Sequence, residues 1–165
     1  MSNKQGIQEV STSTVVEDAT VGIVVSRWNS MITEAMLEGA ISTLVANGVK
    51  KDSITIVRCP GSYEIPLTAQ WLLETKRYEG VIALGVVIRG GTPHFDYVCD
   101  AVNQGVLELN LRFSTPVAFG VLTTDDVQQA LDRIGDKGNK GSEAALALLE
   151  MITVRRSLSQ LNKAK

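Results

Sequence analysis

The sequence holds a single histidine, His94, at the end of the run Arg89-Gly90-Gly91-Thr92-Pro93-His94. Imidazole is the side chain best suited to accept and return a proton at physiological pH, so His94 is the first candidate for proton transfer. Thr92 and Pro93 suit the start of a helix, where free N–H groups and the positive dipole end form a seat for phosphate. Gly90 and Gly91 let the backbone turn and a ligand approach closely. Taken alone, the run is equally a tight turn into a capped helix. Arg133 and Lys140 flank the loop Gly135-Asp136-Lys137-Gly138-Asn139. They are either solvated charges or an anion clamp, Arg being suited to two-point phosphate contact. Trp28 and Tyr63 sit beside Asn29, Gly61 and Ser62, where a flat ring could stack, although most aromatics are core. Glu64 is either a first-turn helix charge or an acceptor for ligand hydroxyls. Phe119, inside an apolar run before Gly120, is core by default.

Those residues fall at the ends of alternating elements. Short β-branched runs predict strands over Val21 to Arg27, Ser53 to Arg58, Val81 to Ile88 and Val117 to Leu122. Between them, helical spacing predicts helices over Met31 to Asn47, Glu64 to Lys76 and Pro93 to Phe113. Asp125 to Ile134 and Ser142 to Leu158 complete the set. Strands apolar on both faces, alternating with helices, imply a parallel sheet covered on each side. The expected fold is α/β, a three-layer α/β/α sandwich around a four-stranded, doubly wound, flavodoxin-like sheet. Ile7 to Val16 could add an edge strand, in this chain or in a neighbour. The expected organisation is an N-terminal polar segment 1–20 and a single domain 21–165. Ligands of such sheets bind outside the carboxyl ends of the strands, which is where the unusual residues cluster.

Composition narrows the classes further. Against 18 acidic residues stand 16 Lys and Arg, a net charge of -2 that gives no footprint for nucleic acid or an anionic membrane. The polar opening residues lack a secretory pattern, and no apolar stretch is long enough to span a bilayer. Cys59 and Cys99 lie far apart and His94 has no partner at ligand spacing, so no metal site is expected. A cytoplasmic protein with reduced thiols follows.

Several motifs together resemble the lumazine synthase family. They are the run from Gly85 to Val98, with Arg27-Trp28-Asn29 and Pro60-Gly61-Ser62-Tyr63-Glu64-Ile65-Pro66. Phe119-Gly120-Val121-Leu122-Thr123 and Gly138-Asn139-Lys140-Gly141 complete the set. The resemblance runs from about Val21 to Ser157. It implies condensation of 5-amino-6-(D-ribitylamino)uracil with 3,4-dihydroxy-2-butanone 4-phosphate, giving 6,7-dimethyl-8-ribityllumazine, phosphate and water, without a cofactor.

Carried onto this sequence, the resemblance implies that Trp28 stacks on the pyrimidine and that Ser62, Tyr63 and Glu64 hold the ribityl chain. Val86, Val87 and Ile88 line the pyrimidine pocket through backbone groups, and His94 transfers protons. Gly91, Thr92 and Arg133 bind the phosphate, with Arg133, Phe119 and Lys140 supplied by a neighbouring subunit. It also implies a homo-oligomer, a pentamer or an icosahedral assembly of pentamers, and riboflavin synthase as a further partner. Arg133-Ile134-Gly135 stands where the family often has Arg-Ala-Gly, and the following loop is one residue shorter, which bears on the reach of Lys140. The alternatives are a relative that holds lumazine or riboflavin without turnover, a shell protein, and a flavodoxin-like flavin carrier.

Overall fold

The computed structural model describes residues 6–163. β1 (Val21–Ser26) leads into α1 (Ser30–Ala46), and β2 (Ile54–Cys59) into α2 (Ile65–Glu74). β3 (Gly80–Ile88) precedes α3 (His94–Phe113), and β4 (Val117–Thr124) precedes α4 (Val127–Leu131) and α5 (Lys140–Lys163). The strands form one four-stranded parallel sheet in the order β2-β1-β3-β4. Helices cover both faces, as the alternating pattern predicts.

The layering follows from the period of two along each strand. Val21, Ile23 and Val25 of β1 point to one face with Ile82 and Leu84, where α1 and α5 cover them through Met36, Ala40, Leu148 and Leu149. Val24 points the other way with Val81 and Ala83, under Ala69 and Leu72 of α2 and Val102 and Val106 of α3. Every residue of β1 is buried. Each fully buried Val, Leu or Ile contributes about 1.5–3 kcal/mol of transfer free energy, so this double-sided burial fixes the sheet's centre. The edge strand β2 is only partly covered.

Two local features differ from the sequence expectation, and a third takes one of its two alternatives away. Residues 7–16 form no strand in this chain's own sheet. Instead the Val16 N–H donates to the Asn47 carbonyl at 2.9 Å, and the Thr153 hydroxyl donates to the Ser13 carbonyl at 2.6 Å. The segment thus lies along α1 and α5. Residues 1–5 of the polar segment lie outside the described residues. The helix expected over Asp125 to Ile134 forms only as Val127–Leu131, started by Asp126, whose carboxylate accepts the Gln129 N–H at 2.8 Å. Finally, α5 starts at Lys140 rather than Ser142, because Gly141 packs against α1 so closely that a Cβ there would strike the Met36 carbonyl.

Candidate active site

The chain passes from β1 to β2 on one side and returns to β3 on the other. The order therefore reverses at the β1–β3 pair, which in open parallel sheets is where a crevice opens beyond the carboxyl ends. A cleft of about 420 Å³ lies there, lined by Trp28, Asn29, Gly61, Ser62, Tyr63, Glu64, Val86, Val87, Ile88, His94 and Val98. Eight of the residues singled out in the sequence thus meet in one place.

The β1 and β2 ladder continues past the strands and sets the near wall. The Arg27 N–H donates to the Cys59 carbonyl at 2.8 Å and the Trp28 N–H to the Pro60 carbonyl at 3.0 Å. This carries the Trp28 ring over Gly61, where any Cβ would collide with it. The ring is 63% exposed, so its outer face is open to a planar ligand. Asn29 turns the chain into α1 from a left-handed conformation (φ 60°, ψ 47°) and makes no side-chain cap bond there. Such a residue is conformationally costly and clusters at functional sites. The Glu64 carboxylate accepts the Gly61 N–H at 3.0 Å, so one of its oxygens holds the turn while the group lines the cleft.

The floor is the end of β3. β1 pairs with β3 only as far as Leu84, so the edge of Val86–Ile88 that faces β1 has no strand partner and borders the cleft. Ser62 is buried and donates to the Val86 carbonyl at 3.4 Å. His94 opens α3, and Val98 sits one turn on, beneath it.

Arg89 anchors the loop between β3 and α3. Its N–H donates to the Thr124 carbonyl at 2.8 Å and its Nε to Asp125 at 2.8 Å, while the guanidinium lies 4.3 Å from the Phe95 ring centroid. Gly90 and Gly91 need no positive φ, and a Cβ on either would meet open space. The turn does not require glycine, so the expectation of a glycine-dependent bend is corrected. What the two glycines leave is room. Pro93 occupies the N-cap position, one residue later than the expected Thr92, whose hydroxyl accepts the His94 N–H only at 3.5 Å. Gly91 and Thr92 are exposed above the cleft rather than part of its lining.

Phe119, Arg133 and Lys140 do not reach this cleft. They line a second cavity of about 500 Å³ between β4 and α5. Phe119, core by default, lies at the sheet edge and is 45% exposed. The shortened loop is closed by the Lys140 N–H donating to the Arg133 carbonyl at 2.9 Å, which keeps both cations on one cavity. Each is held by its own chain. Arg133 donates to the Gln129 carbonyl at 2.6 Å, and Lys140 meets Glu143 at 2.6 Å.

The sequence reading passed over Asn29, Gly61 and Val98 as lining residues. Their signals were adjacency to Trp28 and Ser62 and the i,i+4 spacing from His94. A cleft of similar size, about 490 Å³, opens at the other end of the sheet among Lys76, Arg77, Arg155 and Arg156. Lys76 and Arg77 follow the C-terminus of α2, where positive charge offsets exposed carbonyls, and Arg156 of α5 is paired with Glu79 at 2.5 Å.

Among the described residues no cluster of His, Cys, Asp and Glu could hold a metal ion, and no helix is long and apolar enough to cross a membrane. Cys59 is buried beneath the Gly61 turn, and burial pushes its thiol up to about 11. The unfolded chain ionises this thiol first, so its contribution to stability is complete below pH 9 and lost as pH rises toward 11. Iodoacetamide at pH 8 should leave Cys59 unlabelled in the folded protein and label it in urea. Peptide mass mapping that found equal labelling would show the burial to be wrong.

Residues 18–156 match the family model described as 6,7-dimethyl-8-ribityllumazine synthase.

Proposed function

The chain belongs to the 6,7-dimethyl-8-ribityllumazine synthase family, and we propose that it condenses 5-amino-6-(D-ribitylamino)uracil with 3,4-dihydroxy-2-butanone 4-phosphate. The observation that carries this reading is the cleft at the β1–β3 reversal. It joins an open aromatic face (Trp28), a strand edge without a partner (Val86–Ile88), hydroxyl-binding groups (Ser62, Tyr63, Glu64) and a base (His94). A pyrimidine needs a stacking face and in-plane backbone partners, and a ribityl chain needs acceptors and donors spaced along it. The cleft offers these in that order.

In this reading the pyrimidine lies on Trp28 with its edge against Val86–Ile88, and Glu64 accepts ribityl hydroxyl hydrogen bonds. The 5-amino group attacks the ketone carbonyl and water leaves. Phosphate then departs as a proton is taken from carbon, the resulting enol becomes a ketone, and the ribityl nitrogen attacks that carbonyl and closes the ring with loss of a second water. Each step moves protons between nitrogen, carbon and oxygen, and in this reading His94 carries them. Much of the acceleration comes from holding two intrinsically reactive molecules together. Gly91 and Thr92 hold the phosphate with Arg133 of the next subunit in a pentameric ring, to which Phe119 and Lys140 also contribute. Icosahedral assembly of such rings and association with riboflavin synthase belong to the same proposal.

Incubating the protein with both substrates should produce lumazine fluorescence together with inorganic phosphate. No product at substrate saturation would leave the binding-only relative as the better reading. A flavin carrier would instead purify yellow with a redox couple. Arg133→Ala should raise KM for the butanone phosphate roughly tenfold, the worth of one charged phosphate contact, with a smaller effect on the pyrimidine KM. If only the pyrimidine KM rose, Arg133 would not be the phosphate ligand.

A further inference from the structure

Arg133 and Lys140 are the two ends of one loop, and their side chains make only local contacts, four and three residues away, with the Gln129 carbonyl and Glu143. What fixes the loop is Asn139. Its side-chain oxygen accepts the N–H groups of Gly141 and Ser142 at 2.8 and 3.2 Å, which caps the start of α5. Its amide nitrogen donates to the Ala35 carbonyl in the middle of α1, at 3.0 Å. The amide sits against Gly39, where an added Cβ would lie 2.5 Å from Asn139 Oδ1. One side chain therefore does two separable things, and only the first concerns helix stability.

We infer that Asn139 is a positioning residue, which latches the 133–140 loop to α1 and so sets where Arg133 and Lys140 present their charges. The inference rests on the proposed phosphate role of that loop. Three observations carry it. The Lys140 N–H to Arg133 carbonyl bond makes the loop a closed unit, so whatever fixes Asn139 fixes both cations. Gly138 before it has a φ of 142°, a conformation that favours glycine, so the chain turns there directly into the Asn139 anchor. Gly39, in mid-helix where glycine is unfavourable, is small where the Asn139 amide needs space.

Asn139→Asp separates the two functions. Aspartate caps a helix as well as asparagine does, so the start of α5 keeps its acceptor, but no donor remains for the Ala35 carbonyl. The melting temperature should fall by only a few degrees, the roughly 1 kcal/mol of one lost hydrogen bond, because the cap of α5 is kept. KM for the butanone phosphate should rise roughly fivefold, the worth of one lost hydrogen bond, while kcat and the pyrimidine KM stay unchanged. Gly39→Ala should reproduce the KM effect from the α1 side, and it decides the matter if the aspartate variant does not fold. Placed on Arg133→Ala, Asn139→Asp should add nothing further to that KM, because it acts through the same contact. Wild-type KM in Asn139→Asp, beside a raised KM in Arg133→Ala, would overturn the latch and leave the phosphate reading standing. An unchanged KM in Arg133→Ala would overturn the phosphate reading and the latch with it.

Discussion

Refolding His94→Ala chains together with Arg133→Ala chains is expected to restore activity toward about a quarter of the wild-type value. Alone, His94→Ala should lower kcat roughly tenfold or more, because proton transfer is lost while proximity remains. Arg133→Ala alone should be weak at substrate concentrations below its raised KM. The reason to expect rescue is the division of the site residues within one chain. Trp28, Ser62, Tyr63, Glu64 and His94 share one cleft, whereas Phe119, Arg133 and Lys140 share another. A complete site then needs the first half of one subunit and the second half of the next. In a ring with head-to-tail contacts, every chain gives one half to each of two sites. Random mixing leaves about one interface in four with both halves intact. Mutants refolded separately and mixed afterwards give the baseline. Mass measurement should find mixed rings of about five chains, the proposed pentamer. Mixed rings with no activity above that baseline would put the whole site in one subunit, and monomers or dimers would remove the premise.

The largest effect on stability is expected at Gly141. A Cβ there meets the Met36 carbonyl, which is main chain in the middle of a helix and cannot rotate away. The two helices must separate or α5 must start later. Gly141→Ala should therefore cost about 3 kcal/mol, at the upper end for an overpacked contact. For a chain of this size that lowers the melting temperature by roughly 6–12 °C. Gly135→Ala is the control, since its nearest neighbour, the Leu131 carbonyl, lies at an ordinary 3.5 Å. A Gly141→Ala protein that melts with the control would mean that α1 and α5 are less closely packed than described.

The central strands were legible because β1 and β3 lie under helices on both faces and are written as unbroken apolar runs. The cleft was legible for a related reason, since after β1, β2 and β3 runs of polar, aromatic and glycine residues follow where the apolar strands end. Legibility failed wherever a tertiary contact overrode local preference. Lys140-Gly141 has the composition of a loop, yet it is helical because α1 leaves a groove that only glycine fits. Residues 7–16 add no strand to this chain's own sheet, and hydrogen bonds tie the segment to Asn47 and Thr153. The separation of Phe119, Arg133 and Lys140 from the cleft is a matter of three-dimensional distance, which strand and helix periods do not encode. Asn139 was hidden most completely. In Gly138-Asn139-Lys140 it has every mark of a solvated turn, and its partner on α1 lies about a hundred residues away, at Ala35.

The contacts that Arg133 and Lys140 make with Gln129 and Glu143 set a threshold. Neither cation waits idle for a ligand. An incoming anion must displace a carbonyl from one and a carboxylate from the other, contacts worth about 1 kcal/mol or less apiece at such exposed positions. Only the difference counts as affinity. In the proposed reaction, a weakly accepting anion gains too little from the exchange to stay, whereas a phosphate dianion outbids both resident oxygens. The exchange also runs in reverse. Once phosphate is cut from the substrate, the two resident acceptors are within reach and compete for the cations again, so the groups that recognise the leaving group also help to discharge it.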